Sequence, residues 1–125
     1  MGQDDHLALY DHVEFATEMA ALGRREPREF RAVFNARRML YERGCALGYP
    51  HTSAVRGGKM GLRELRPRAG RSRYRVLYRR YGDSLVLLAL AREALTDPRD
   101  FARAIVAAET RARDLLEPGS GDSDV

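Results

Sequence analysis

Arg73 to Ala91 read RYRVLYRRYGDSLVLLALA, two extended runs separated by the turn signal Tyr81-Gly82-Asp83-Ser84. Successive side chains of a strand point to opposite faces. The first run therefore sorts into Arg73, Arg75, Leu77, Arg79 and Tyr81 on one side, and Tyr74, Val76, Tyr78 and Arg80 on the other. The second set is mostly apolar, which predicts burial. Ser84 to Ala91 is almost continuously apolar, the pattern of a strand covered on both faces and central in its sheet. Upstream, Leu62 to Arg66 sorts into Leu62, Glu64 and Arg66 against Arg63 and Leu65, and Pro67 with Gly70 supplies the turn that folds it back as a hairpin. The middle of the chain thus reads as three antiparallel strands.

Helical patterns flank them. From about Leu7 to Leu22, the residues Leu9, Val13, Ala16 and Ala20, flanked by Phe15, Met19 and Leu22, recur at helical spacing, and Gly23 follows as a stop. Glu26-Pro27 opens a second helix with proline in its first turn, and Phe30, Val33, Phe34, Arg37, Leu40 and Tyr41 trace one stripe before Gly44. Cys45 to Lys59 reads as a glycine-rich loop. After the strands, Thr96-Asp97-Pro98 is a helix start that leads into Phe101, Ile105, Ala108, Ala112 and Leu115. The order α, α, β, β, β, α predicts an α+β fold of two layers, with two N-terminal helices and a C-terminal helix packed on a small antiparallel sheet. Residues 1–117 form one domain in this reading. The last eight residues, PGSGDSDV, lack the apolar side chains to offset their ordering entropy, so 118–125 read as a disordered acidic tail.

Charge is concentrated rather than spread. The chain of 125 residues carries 22 basic and 18 acidic side chains, yet Arg56 to Arg80 alone holds ten basic residues and one acid, Glu64. The other 100 residues are left with 12 basic against 17 acidic, a net of minus five. A cationic run interleaved with strand-forming Leu, Val and Tyr points to a polyanion as partner, where a shorter run would read as a solvated face. The single cysteine, Cys45, excludes an internal disulfide, and His6, His12 and His51 show no zinc-ligand spacing, so neither a metal nor a cofactor is expected. The longest apolar run, Leu85 to Ala91, falls far short of the roughly 18 residues of a membrane span, and the N-terminus has no leader pattern; a cytoplasmic location away from membranes is the expectation.

Taken in order, VEFATEMAAL, RGCALGYPHTSAVRGGKMGLRELRP and GRSRYRVLYRRYGDSLVLLALAREALTDP resemble the HigB-like, phage-derived branch of the RelE/ParE toxin superfamily across about residues 10 to 116. The specific parts are Gly61-Leu62-Arg63-Glu64-Leu65-Arg66, the YRVLY strand from Tyr74 to Tyr78, and Pro98 after the third strand. The resemblance implies a RelE-like fold and the toxin of a type II toxin-antitoxin pair, an mRNA endoribonuclease that works on the ribosome and arrests growth. It also implies a cognate antitoxin, expected to be a helix-turn-helix protein. One departure stands out. Where the family places a phenylalanine and a pair of lysines before the proline, this chain has Leu90, Arg92 and Glu93, so one cation is kept and one is reversed in sign.

Metal-free RNA cleavage needs a base for the attacking 2′-OH, an acid for the leaving 5′-oxygen and cations on the phosphorane. Arginine suits only the last task, because its guanidinium stays protonated and meets phosphate oxygens bidentately. Arg66, Arg73 and Arg75 are assigned to the phosphate, with Arg92 a fourth candidate. Lys59, Arg63, Arg71 and Arg79 are the further substrate-binding candidates. Tyr78 is the candidate proton donor, and Tyr81, Glu64 and His51 are alternatives for the acid and base. Two other functions fit the same residues: a ParE-like gyrase inhibitor and a non-catalytic nucleic-acid-binding accessory protein.

Overall fold

The computed structural model describes residues 7–116. In chain order the elements are β1 (Ala8–Asp11), α1 (Val13–Arg25), α2 (Pro27–Arg43), β2 (Thr52–Ala54), β3 (Arg63–Leu65), β4 (Tyr74–Tyr81), β5 (Ser84–Arg92) and α3 (Pro98–Leu116). The protein is α+β, with three helices and a five-stranded sheet among the described residues. The sheet runs in the order β1-β5-β4-β3-β2 and is mixed rather than antiparallel, because β1 lies parallel to β5 while the other pairs are antiparallel. The tail expected over 118–125 lies outside the described residues.

Two apolar clusters lie on opposite faces of this sheet. On one face Tyr74, Val76 and Tyr78 of β4 and Leu85, Leu87 and Leu90 of β5 pack against Phe15, Met19 and Leu22 of α1 and Val33 and Leu40 of α2. On the other, Leu77, Val86, Leu88 and Ala89 meet Ala104, Ala108 and Ala112 of α3. The layers therefore number three, helices on both faces, where the helix-strand order alone suggested two. The alternation of β4 is as the sequence reads. In β5 it is not regular, because the ladder slips between Leu77 and Tyr78, which pair with Ala89 and Leu87. That bulge leaves Leu88 unopposed and lets Leu88 and Ala89 both face α3.

The N-terminal segment departs most from its sequence pattern. Leu7 to Asp11 is not the start of the first helix but a short strand along β5, and the helix begins at Val13. His12 makes the junction: its N–H donates to the Leu87 carbonyl at 2.9 Å, and its Nδ1 accepts from the Glu14 N–H at 3.1 Å as an N-cap. The stripe Val13, Ala16 and Ala20 faces solvent, Val13 being 71% exposed, and the flanking Phe15, Met19 and Leu22 form the buried face. In α2 the buried face is likewise Ala32, Val33, Ala36 and Leu40, while Phe34 and Tyr41 are exposed and Arg37 forms a two-point ion pair with Asp11 at 2.9 and 3.0 Å. The loop after α2 contains the short edge strand β2. The central strand is β4, not the more apolar β5.

β5 is second from the edge, and β1 covers only Ser84 to Leu87. Side chains satisfy the rest of that edge. The Leu88 carbonyl accepts from Arg111 Nη1 at 2.7 Å, the Leu90 N–H donates to Glu18 Oε1 at 2.9 Å and the Leu90 carbonyl accepts from Arg103 Nη2 at 3.2 Å. The Arg92 N–H donates to Asp100 Oδ2 at 2.8 Å. Helices on both faces thus place side chains where a further strand would bond, which closes the edge to pairing with another chain.

Candidate functional site

The arginines of Arg56 to Arg80 divide into those whose side chains are held by the fold and those whose side chains have no partner among the described residues. Arg75 is held most firmly. Only 4% exposed, it donates to the carbonyls of Ser72 (2.7 Å), Tyr74 (2.9 Å) and Gly70 (3.2 Å) and to Glu93 Oε1 (3.1 Å), and its Nε lies 3.8 Å from Glu64 Oε1. Burial pushes its guanidinium below its ordinary value; Glu64 opposes that shift, Arg66 adds to it and Glu93 opposes it. Glu93, the sign reversal noted in the sequence, is therefore a partner of Arg75 inside the protein. Tyr78 is buried in the α1/α2 core. Arg79 donates to the Met60 carbonyl at 2.7 Å and lies over the Tyr81 ring, and Arg63 donates to Thr52 Oγ1 at 3.0 Å. Arg73 is exposed, 3.8 Å from Glu26. Lys59 is exposed, and its backbone N–H donates to Glu109 of α3.

A cavity of about 570 Å³ lies between α2 and the β3–β4 turn. Five arginines line it: Arg28 and Arg31 from α2, and Arg66, Arg68 and Arg71 from the turn. His51 and Asn35 are also on its wall, and no Asp or Glu is. Its apolar lining comes from Ala32, Ala36, Met39, Leu47 and Leu65. A cleft lined by one sign of charge over low-dielectric walls concentrates the field, so an anion entering it relieves the repulsion between the cations. Of the nine site residues named from sequence, this groove gathers Arg66 and Arg71.

Local geometry keeps the cations there. Arg66 is anchored through Nε to the Pro50 carbonyl (3.0 Å) and through Nη1 to Glu64 (2.9 Å), and it lies over the Tyr49 ring at 5.2 Å. At the tip of the turn Arg68 and Ala69 have φ of 56° and 55°, a conformation uncommon for residues with a Cβ, and Gly70 follows at 93°. A side chain at Gly70 would meet Arg66 Nη2 at 2.6 Å, so glycine there leaves room for that guanidinium. Arg68 reaches back to Glu29 at 3.2 Å and to the Arg28 carbonyl at 3.4 Å, which ties the turn to α2. Arg28, Arg31 and Arg71 make no hydrogen bond or ion pair through their side chains among the described residues. The Glu26 carboxylate does not cap α2; it accepts from the Tyr74 hydroxyl and faces Arg73.

Arg92 belongs to a different cavity, about 540 Å³, at the side-chain-capped edge of β5. Three arginines, Arg25, Arg92 and Arg103, share it with Glu18, Asp97 and Asp100. Arg92 lies over the Tyr74 ring at 5.8 Å. Burial pushes the Asp100 carboxyl up, but the Arg92 N–H and the Arg103 guanidinium outweigh it and hold the group below its ordinary value. Burial and the bond to Glu26 raise the Tyr74 hydroxyl.

Arg28, Arg31 and Asn35 are groove residues that lie outside the charge run, and Arg68 lies within it but was not among the named site residues. Arg28, Arg31 and Asn35 recur at helical spacing along α2, interleaved with Ala32, Ala36 and Met39, which is the signal that marks them as one face. Among the described residues no group of three or more His, Cys, Asp or Glu side chains is placed to hold a metal ion, and no helix is long and apolar enough to cross a membrane. No family model, curated protein or solved structure matches the chain.

Proposed function

We propose that this protein is the toxin of a type II toxin-antitoxin pair, an endoribonuclease that cuts mRNA on the ribosome, with the groove beside α2 as its RNA-binding site. The observation that carries this reading is the convergence of five arginines and a histidine on a cleft without a carboxylate. A domain of three helices on a five-stranded sheet accommodates the RelE-like arrangement that the GLRELR and YRVLY segments imply. The groove cations bind the phosphates on either side of the scissile bond and stabilise the phosphorane charge. His51 is the imidazole on the groove wall, and it is assigned the proton transfers of the 2′-OH attack. The cognate antitoxin blocks this groove with acidic side chains.

The test is to induce the gene and map mRNA 5′ ends. Cuts within translated frames are expected, abolished by His51→Gln while the purified variant keeps the parent's circular dichroism spectrum. Growth arrest with intact mRNA and inhibited gyrase supercoiling would replace this reading with the ParE-like one.

A further inference from the structure

The groove has two chemically distinct parts, and phosphate alone accounts for one of them. Arginines form its rim, while Ala32, Ala36, Met39, Leu47 and Leu65 supply an apolar lining deep enough that Ala32, Ala36, Leu47 and Leu65 are themselves buried. A site for the sugar-phosphate backbone alone needs only donors on a surface; it has no use for an apolar wall. We infer that the groove holds one complete nucleotide unit, its base unstacked from its neighbours and laid against this apolar lining, its phosphates on Arg28, Arg31 and Arg71. The inference rests on the reading of the groove as an RNA site.

Three observations agree on this occupant. The volume of about 570 Å³ falls in the range of small-molecule clefts, where an apolar wall and a few placed polar groups share the ligand. The three cations without a side-chain partner among the described residues, Arg28, Arg31 and Arg71, line the same cavity as the apolar residues. Asn35, the one amide on the wall, offers both a donor and an acceptor to a base edge. An A-form duplex keeps its bases stacked, so single-stranded RNA or a free nucleotide satisfies both parts of the groove and a duplex satisfies only the rim. An acidic peptide would likewise engage the rim without needing a planar group.

Fluorescence anisotropy with a 5′-labelled single-stranded RNA hexamer tests this. The hexamer is compared with versions carrying one abasic ribose at each position in turn, and nucleoside triphosphate is added as competitor. At one position loss of the base is expected to weaken binding about tenfold, with the salt dependence unchanged. Ala32→Leu, which fills the floor, should remove that penalty and leave the salt dependence in place. Met39→Gln, at a partly buried position, is the second variant should Ala32→Leu melt early. Displacement by the triphosphate assigns the site to a free nucleotide; failure of displacement while the base penalty stands assigns it to a chain residue. Equal binding of intact and abasic hexamers at every position would overturn the inference, as would a penalty that survives both floor variants. If the parent binds no RNA at all, the reading of the groove as an RNA site falls with it.

Discussion

The groove beside α2 and the cavity at the edge of β5 are nearly the same size, about 570 and 540 Å³, and both are rich in arginine. Their chemistry differs because of where the carboxylates lie. In the edge cavity three acids answer three arginines, and the network satisfies backbone groups that would otherwise lack a partner. In the groove no acid stands on the wall: Arg66 and Arg68 pair with Glu64 and Glu29 from outside it, and Arg28, Arg31 and Arg71 have no side-chain partner among the described residues. The same division runs through the basic segment itself, where Arg75 is enclosed by Glu64 and Glu93 while Arg71 faces open space. Counting cations locates a polyanion site only after those matched inside the fold are subtracted.

The most severe test of this contrast is Arg75→Met. Removing a buried guanidinium leaves Glu64 and Glu93 without their shared cation and three carbonyls without a donor, and the expected loss of stability is about 3–5 kcal/mol by urea denaturation. A loss below about 1 kcal/mol, within the range of an exposed ion pair, would place Arg75 with the solvent-facing cations instead.

Next in size are the unpaired cations of the groove. Arg31→Ala and Arg71→Ala are each expected to weaken RNA binding about tenfold and to lower the salt slope by about one, with the denaturation midpoint unmoved. Arg103→Ala, from the charge-balanced cavity, should leave RNA binding as it is. Equal losses from Arg103 and Arg31 would erase the distinction between the two cavities.

Asp100 gives the smallest effect. Its folded value is depressed, so its contribution to stability is present above the unfolded carboxylate value of about 4 and is lost as pH falls through the folded value. Asp100→Asn should therefore flatten the acid limb of the stability curve below about pH 4 while changing little near neutrality. Parallel acid limbs for parent and variant would show that the edge network does not depend on this charge.

Local pattern was enough for the three middle strands, the two faces of β4 and the start of α3, because alternation and turn residues act within a few positions. It also marked the cationic segment and, within it, Arg66 and Arg71. It misassigned Leu7 to Asp11, since four residues along an open sheet edge gain their hydrogen bonds from β5, more than seventy positions away. It chose the wrong stripe of α1 for the same reason: Ala16 and Phe15 are both apolar, and only the sheet decides which one it covers. Whether α3 joined α1 and α2 or took the opposite face was equally beyond a linear pattern, because α3 is apolar on one side either way. Most of all, sequence placed Arg66, Arg73 and Arg75 on equal terms and Arg71 behind them. Which guanidiniums are free depends on carboxylates brought from β3, from the end of β5 and from the first turn of α2, and on two arginines of α2 that no charge run announces. The chain by itself determined that cations are concentrated between Arg56 and Arg80. Tertiary packing decided which of them stay available, since a cation's availability is set by the neighbours that folding places around it.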